Sequence, residues 1–390
     1  MIPQETFLQQ AFETFDVMAI DGFRDYLANL PRVTKWIVAS DYCLHEKAYP
    51  YAVFGFTLIP YDRDFETLKQ EIRQSVRRDL KKTSNISEEV ADFLKQPRFF
   101  HFAFRTSKDR QYFTNGQGSK PRQVVRESIK IMVDTIPWDG ELKAKLKVLK
   151  QDAESNNFDF HLLSDQIITS LLFNFIGLLL ARESAPEIIG WFSDRDDMTS
   201  FHDGLMFHFA EQGLHGLGQK FDIDTSAIQC MFGVPDRTAP EEMWFDDLIR
   251  LADYFAGTIA GWNTSQNFVS HPKYVQMLQQ VVADQPNVVV LNFEMNEKGS
   301  RFGRLDISKT RRPTRFKFQG EWFTLKWGAI ELHSDRLFRL SKSQRFAKVE
   351  KGKQRLYQMA AEQGWRSNRR LEREAMNLMA MLVSQRVERL

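Results

Sequence analysis

Three aspartates of this 390-residue chain fall where short acids can do chemistry. Asp41 closes the apolar run Trp36-Ile37-Val38-Ala39, Asp194 closes Ile188 to Ser193, and Asp253 lies within the helical spacing of Glu241 to Trp262. Ligands of open α/β sheets bind at strand ends, where the chain leaves the packed layer. Three carboxylates brought to one such edge repel one another unless a cation neutralises them, and hard oxygen ligands select Mg²⁺ or Mn²⁺. On its helix Asp253 shares a stripe with Asp246, Ile249, Arg250, Ala256, Gly257 and Ala260, while the remaining circumference is mostly apolar. That stripe is either the wet face of an amphipathic helix or, since small residues surround the acid, a surface lying close to the sheet with a carboxylate in a cleft.

The elements that must position these residues can be read from periodicity. Lys35 to Asp41, Tyr51 to Ile59 and Arg98 to Arg105 read as strands, the first two joined closely enough for an antiparallel hairpin. Asp62 to Lys82 has helical spacing at Phe65, Leu68, Ile72 and Val76. Helices follow over Arg122 to Thr135, Glu141 to Glu154 and Asp159 to Arg182; then a strand at Ile188 to Ser193, a helix from about Thr199 to Gln212, a strand at Ala227 to Phe232, and the Glu241 to Trp262 helix. Three leading antiparallel strands and two more reached through helical crossovers predict an α/β fold with a mixed five-stranded sheet flanked by helices. Past Asp284-Gln285-Pro286 the character changes to short strands and two basic helices, roughly Arg336 to Gln363 and Ser367 to Arg389. The predicted organisation is therefore a domain over residues 1–285 and a basic α+β extension over 286–390.

Charge is distributed unevenly along the chain. The net +2 combines 22 Lys and Arg against 9 Asp and Glu from Gly299 onward, a balance of +13, with −11 for the rest. A basic block beside an acidic body suits a polyanion partner, docking of the two parts on each other, or simple solvation. Two cysteines cannot form a disulfide framework or a cysteine zinc site, and read as small buried hydrophobes. The first ten residues lack a basic stretch followed by an apolar core, and the longest apolar run, Phe175 to Ala181, is far short of the ~18 residues a span needs. A soluble, cytoplasmic protein without membrane contact is the expectation.

Leu248 to Gly257, L-I-R-L-A-D-Y-F-A-G, resembles the L-Q-x-A-D-x-x-A-G helix that closes an uncharacterised bacterial family with a ribonuclease H-like fold. W-I-V-A-S-D (Trp36 to Asp41) and Y-A-V-F-G-F-T-L-I (Tyr51 to Ile59) stand where that family has a first strand ending in Asp and an aliphatic second strand. I-I-G-W-F-S-D-R (Ile188 to Arg195) is similar to its internal strand. The likeness spans about Lys35 to Trp262 as a pattern, with residue-by-residue matches confined to short stretches. It implies a metal-dependent nuclease in which Asp41 bridges two Mg²⁺ or Mn²⁺ ions and Asp194 and Asp253 each complete one shell. The family's D-E-S-G is here Asp41-Tyr42-Cys43-Leu44, so a ligand supplied by that Glu must come from Asp196 or Asp197, with Glu46 a weaker substitute. Otherwise the chain is a catalytically inactive binding or regulatory protein on the same sheet.

For a nucleic-acid partner, RNA or DNA, the segment Arg301 to Arg315 offers Arg301, Arg304, Arg311, Arg312 and Arg315 interleaved with aromatics, as single strands require; a small packed hairpin is the competing reading. Leu371, Ala375, Leu378 and Leu382 form an apolar stripe that buries against its own chain or a second subunit, giving a homodimer through this helix. His202, His208 and His215 lack the i,i+4 spacing of a helical metal pair. Asn115 to Lys120 lacks the spacing of a phosphate loop, and no G-x-S-x-G nucleophile elbow occurs.

Overall fold

The computed structural model describes residues 4–108, 121–135, 140–235, 243–264, 267–269, 271–296, 299–309, 314–318, 321–325 and 330–334. In chain order its strands are β1 (Lys35–Cys43), β2 (Tyr51–Pro60), β3 (Phe100–Ser107), β4 (Ile188–Ser193), β5 (Gln229–Gly233), β6 (Trp262–Asn263), β7 (Phe268–Val269), β8 (Val288–Asn296), β9 (Gly299–Lys309), β10 (Thr314–Phe318), β11 (Glu321–Leu325) and β12 (Ile330–Ser334). The α-helices are α1 (Gln4–Met18), α2 (Ile20–Ala28), α3 (Phe65–Ser75), α4 (Glu88–Leu94), α5 (Pro121–Thr135), α6 (Gly140–Asp152), α7 (Phe160–Glu183), α8 (Asp197–Ser200), α9 (Leu205–Lys220), α10 (Asp246–Ala260) and α11 (Pro272–Met277).

Eight strands make one mixed sheet in the order β12-β9-β8-β3-β2-β1-β4-β5. Within it β1, β2 and β3 are successively antiparallel, whereas β4 lies parallel to β1 and β5 parallel to β4. The five strands expected from sequence are thus neighbours, and the sheet is larger than expected. Strand β8 lies parallel to β3, with Ala103 opposite Val290, and β9 turns back antiparallel to β8. A cut at residue 285 therefore runs through a single sheet. Only long-range pairing shows this: β8 is an apolar strand, buried on both faces, that no local turn signal ties to β3. The two C-terminal helices, with the stripe Leu371 to Leu382, lie outside the described residues.

Each face of the sheet carries its own core. Trp36, Val38, Phe54, Phe56, Phe102, Phe104 and Trp191 point toward α1, α2, α7 and α9. Ile37, Ala39, Cys43, Val53, Ala103 and Phe192 point the other way, toward α3, α4 and α10. Period-two alternation assigns the two sets. Helix α7 is long and apolar enough to cross a membrane by length and composition, at a mean hydropathy of 1.6, but 89% of that stretch is buried inside the protein. A helix apolar on every side is what the middle of a core requires.

Two departures from the expected elements matter for the site. Strand β1 continues two residues past Asp41, because Tyr42 and Cys43 remain paired with Phe54 and Val53. The helix expected over Asp62 to Lys82 stops at Ser75, and the chain then forms a loop with one 3₁₀ turn at Leu80–Lys82.

Candidate functional site

Asp41 sits on the α10 face of β1, in line with Ile37, Ala39 and Cys43. Its cross-strand partner on β2 is Gly55. A Cβ at Gly55 would come within 2.9 Å of both the Ala252 carbonyl oxygen and the Ala256 Cβ, so α10 rests directly on that glycine. The small residues around Asp253 thus bring the helix close to the sheet, and Asp253 is only 9% exposed. Ser40 pairs with Ser193 across β1 and β4, and the Asp194 N–H continues the ladder by donating to Ser40 O at 3.1 Å. Alternation puts Asp194 on the same side as Phe192. Asp41, Asp194 and Asp253 therefore share one face at one end of two adjacent parallel strands.

Their titration reflects this crowding. Burial, then the charges of Asp253 and Asp194, hold the Asp41 carboxyl well above the usual carboxylate range. Burial raises Asp194 as well, with Asp196 and Asp246 adding to the effect. Asp253 is pushed up to about 6 by burial, with help from Asp79 and Asp194 and against the hydrogen bond it accepts. That bond runs from Leu80 N–H to Asp253 Oδ2 at 2.5 Å. Asp41 Oδ1 accepts from the N–H of Tyr42 at 2.6 Å. The nearby cation acting on all three acids is Lys81; burial works against its charge, but Glu46, Asp41, Cys43 and Asp253 hold its ammonium above the ordinary lysine value.

Among the described residues no three His, Cys, Asp or Glu side chains stand close enough to hold a metal ion as they are placed. The trio shares a face and interacts electrostatically without forming a closed coordination shell. Its donor set suits a hard divalent cation: three short carboxylates, all raised, each also accepting a backbone N–H, from Tyr42, Arg195 and Leu80 respectively.

The other expected site residues fare differently. Asp196 is the N-cap of α8, its Oδ1 accepting from Met198 N–H at 2.7 Å while Thr199 completes a capping box. The structure thus gives Asp196 a helix-starting role, with one of its carboxylate oxygens engaged in the cap. Glu46 lies 3.6 Å from Lys81. Tyr42, standing where the resembled family has Glu, faces the opposite core, its hydroxyl sharing hydrogen bonds with Ser40 Oγ at 2.7 Å and Ser193 Oγ at 2.9 Å. A carboxylate at position 42 of a regular strand would also point away from Asp41, so the departure at 42 removes nothing from the Asp41 face.

Arg304 does not join the site. It lies on the α1 face of β9, where its guanidinium donates to the Met18 carbonyl and meets Asp306 at 3.1 Å. Counting across β2, β3, β8 and β9 at ~4.8 Å per strand, its row is ~19 Å from β1. Arg301 is exposed and opposite Glu294 in the β8–β9 ladder. Arg315 belongs to the separate β10–β11 ribbon, and Arg311 and Arg312 lie outside the described residues.

Sequence reasoning missed Arg105, which is 2% exposed on the Asp41 face of β3, in the cross-strand row of Cys43 and Val53. Its guanidinium lies 4.0 Å over the Tyr51 ring and donates to Thr264 Oγ1 at 3.1 Å and to Asn292 Oδ1. Burial lowers it to about 10. Nothing local distinguishes Arg105 from a surface arginine; burial follows from β8 and the chain after α10 closing over it.

No known protein-family model matches this chain, and neither the curated proteins nor the solved structures include a match.

Proposed function

We propose that the protein is a metal-dependent nuclease that hydrolyses phosphodiester bonds at Asp41, Asp194 and Asp253, with Mg²⁺ or Mn²⁺ as cofactor and RNA or DNA as substrate. The observation that carries this reading is the placement of three carboxylates from β1, β4 and α10 on one face at one sheet edge, Asp253 buried and Asp41 and Asp194 half-buried, each held above the ordinary carboxylate range. The order β3-β2-β1-β4-β5, with β4 and β5 parallel to β1, supports the ribonuclease H-like plan implied by the sequence resemblance. Bound divalent ions supply charge stabilisation and a nucleophilic water at neutral pH. Asp41 on β1 and Asp194 on the adjacent parallel β4, with Asp253 on α10, would hold such ions through their carboxylate oxygens. Apolar neighbours such as Ile37, Ala39 and Phe192 on the same face lower the local polarity around the acids and strengthen the charge interactions among them. Nothing in this reading depends on a carboxylate at position 42.

A second reading, a non-catalytic protein on the same sheet, is favoured by one observation: Asp253 Oδ2 is already used to hold the Leu80 N–H. Incubation of the purified protein with labelled RNA and DNA, single- and double-stranded, in Mg²⁺ or Mn²⁺ separates the two. Cleavage that EDTA stops and that falls by orders of magnitude in Asp41→Asn supports the nuclease, since metal-ion charge stabilisation is worth several kcal/mol. Cleavage that survives in Asp41→Asn, or none on any substrate, supports the second reading.

A further inference from the structure

The segment Arg77-Arg78-Asp79-Leu80-Lys81-Lys82 carries four cations in six residues, and all four are exposed. It is the loop that replaces the end of the expected helix after Ser75. Its backbone is held from below at several points. Leu80 N–H donates to Asp253. Tyr254 Oη donates to Arg78 O at 3.0 Å, one residue along α10 from Asp253. Lys273 Nζ, on α11, donates to Leu80 O at 2.7 Å and to Thr83 O at 2.9 Å. Arg250, one turn earlier on α10, lies 3.5 Å from Asp79. The buried Leu80 side chain packs against Gly257, where an added Cβ would meet it at 2.8 Å. The apolar residue between the cations is thus an anchor, and the flanking pairs 77–78 and 81–82 are left on the surface.

The location matters as much as the charge. The same Asp253 that faces Asp41 and Asp194 clamps this loop, and Lys81 acts electrostatically on all three acids. A polyanion approaching three carboxylates is repelled unless cations beside them hold its phosphates. A loop already fixed by its backbone gives up less ordering entropy on binding than a free basic tail. The arginines of β9 do not meet this need: Arg304 is on the other sheet face, and Arg301 stands opposite Glu294 on a strand four places from β1.

We infer that the Arg77–Lys82 loop is the phosphate-backbone contact of the protein, docking a single-stranded nucleic acid alongside the Asp41, Asp194 and Asp253 cleft. This inference rests on the nuclease reading for its substrate class, but binding tests it apart from cleavage. Each Lys or Arg that contacts a phosphate releases condensed counterions, so affinity falls with salt at a log–log slope of about −0.7 per contact on single strands. The loop also commits one residue, Asp253, to both the acid cleft and the cationic surface, which ties substrate placement to the geometry of the site.

The test uses the full chain carrying Asp41→Asn, in which cleavage is blocked, and a fluorescent single-stranded oligonucleotide of mixed sequence titrated at several salt concentrations in Mg²⁺. Replacing Arg77, Arg78 and Lys81 together by Ala should flatten the slope by about 2, with a single cooperative melting transition showing that the variant is folded. The triple change Arg301→Ala, Arg304→Ala and Arg315→Ala should leave the slope close to its starting value. An unchanged slope in the loop variant, or a loss confined to the β9 variant, overturns the assignment. So does equal affinity for neutral and anionic oligomers. Salt-sensitive binding through the loop without any cleavage by the native sequence would retain this surface and overturn the nuclease reading alone.

Discussion

Asp41 and Gly55 face one another across β1 and β2, and the missing side chain of Gly55 is the space into which α10 settles. This one pairing sets how closely Asp253 approaches the sheet. It joins a backbone requirement of the fold to the spacing of the acids.

Gly55→Ala should therefore act on both. The added Cβ would lie 2.9 Å from the Ala252 carbonyl oxygen and the Ala256 Cβ, so α10 must move outward. Overpacking of this kind costs about 1–3 kcal/mol. Denaturant unfolding should show a loss in that range, together with reduced divalent-ion affinity. Unchanged stability and unchanged ion affinity would mean that α10 is not seated on this glycine.

Stability should also depend on pH in an unusual direction. Asp41, Asp194 and Asp253 all have native-state values raised above those of the unfolded chain, Asp253 to about 6. A raised carboxyl binds its proton more tightly in the folded state, so its stabilising contribution is complete below the unfolded value near 3.8 and is lost as pH rises through the folded one. In EDTA the melting temperature should accordingly rise as pH falls from about 7 toward 5, the interval around the Asp253 value. Excess Mg²⁺ should flatten or reverse this trend, because cation binding favours the ionised acids. A melting temperature that falls steadily with acidification in EDTA would show that these acids are not stressed in the folded protein. Asp41→Asn should weaken the trend by removing one member of the group.

Much of the sheet was legible because β1, β2 and β4 are apolar runs bounded by turn residues, and the alternation of Ile37, Ala39, Asp41 and Cys43 follows from strand period alone. The neighbourhood of Asp41 and Asp194 follows from the parallel pairing of β1 and β4, whereas Asp253 is brought to that face by α10 resting on Gly55. What could not be read depends on contacts distant in sequence. The loop after Ser75 contains neither Gly nor Pro to break a helix; it is captured by Asp253, 173 residues away from Leu80. The arginines of β9 stood out by charge density, but only the β8–β9 register and the Met18 carbonyl reveal that Arg304 is turned to the other face. Arg105 went unnoticed for the converse reason, since a buried arginine looks in sequence like any other.

The central claim, that Asp41, Asp194 and Asp253 together take up divalent cations, is tested most directly by titrating the purified protein with Mn²⁺ and following free ion by electron paramagnetic resonance. The native chain should bind Mn²⁺ in competition with Mg²⁺. Asp41→Asn and Asp253→Asn should each weaken binding by at least the roughly 10–100-fold that loss of an outer-shell partner costs. Binding that is absent in the native chain, or equally strong in both variants, would contradict the account.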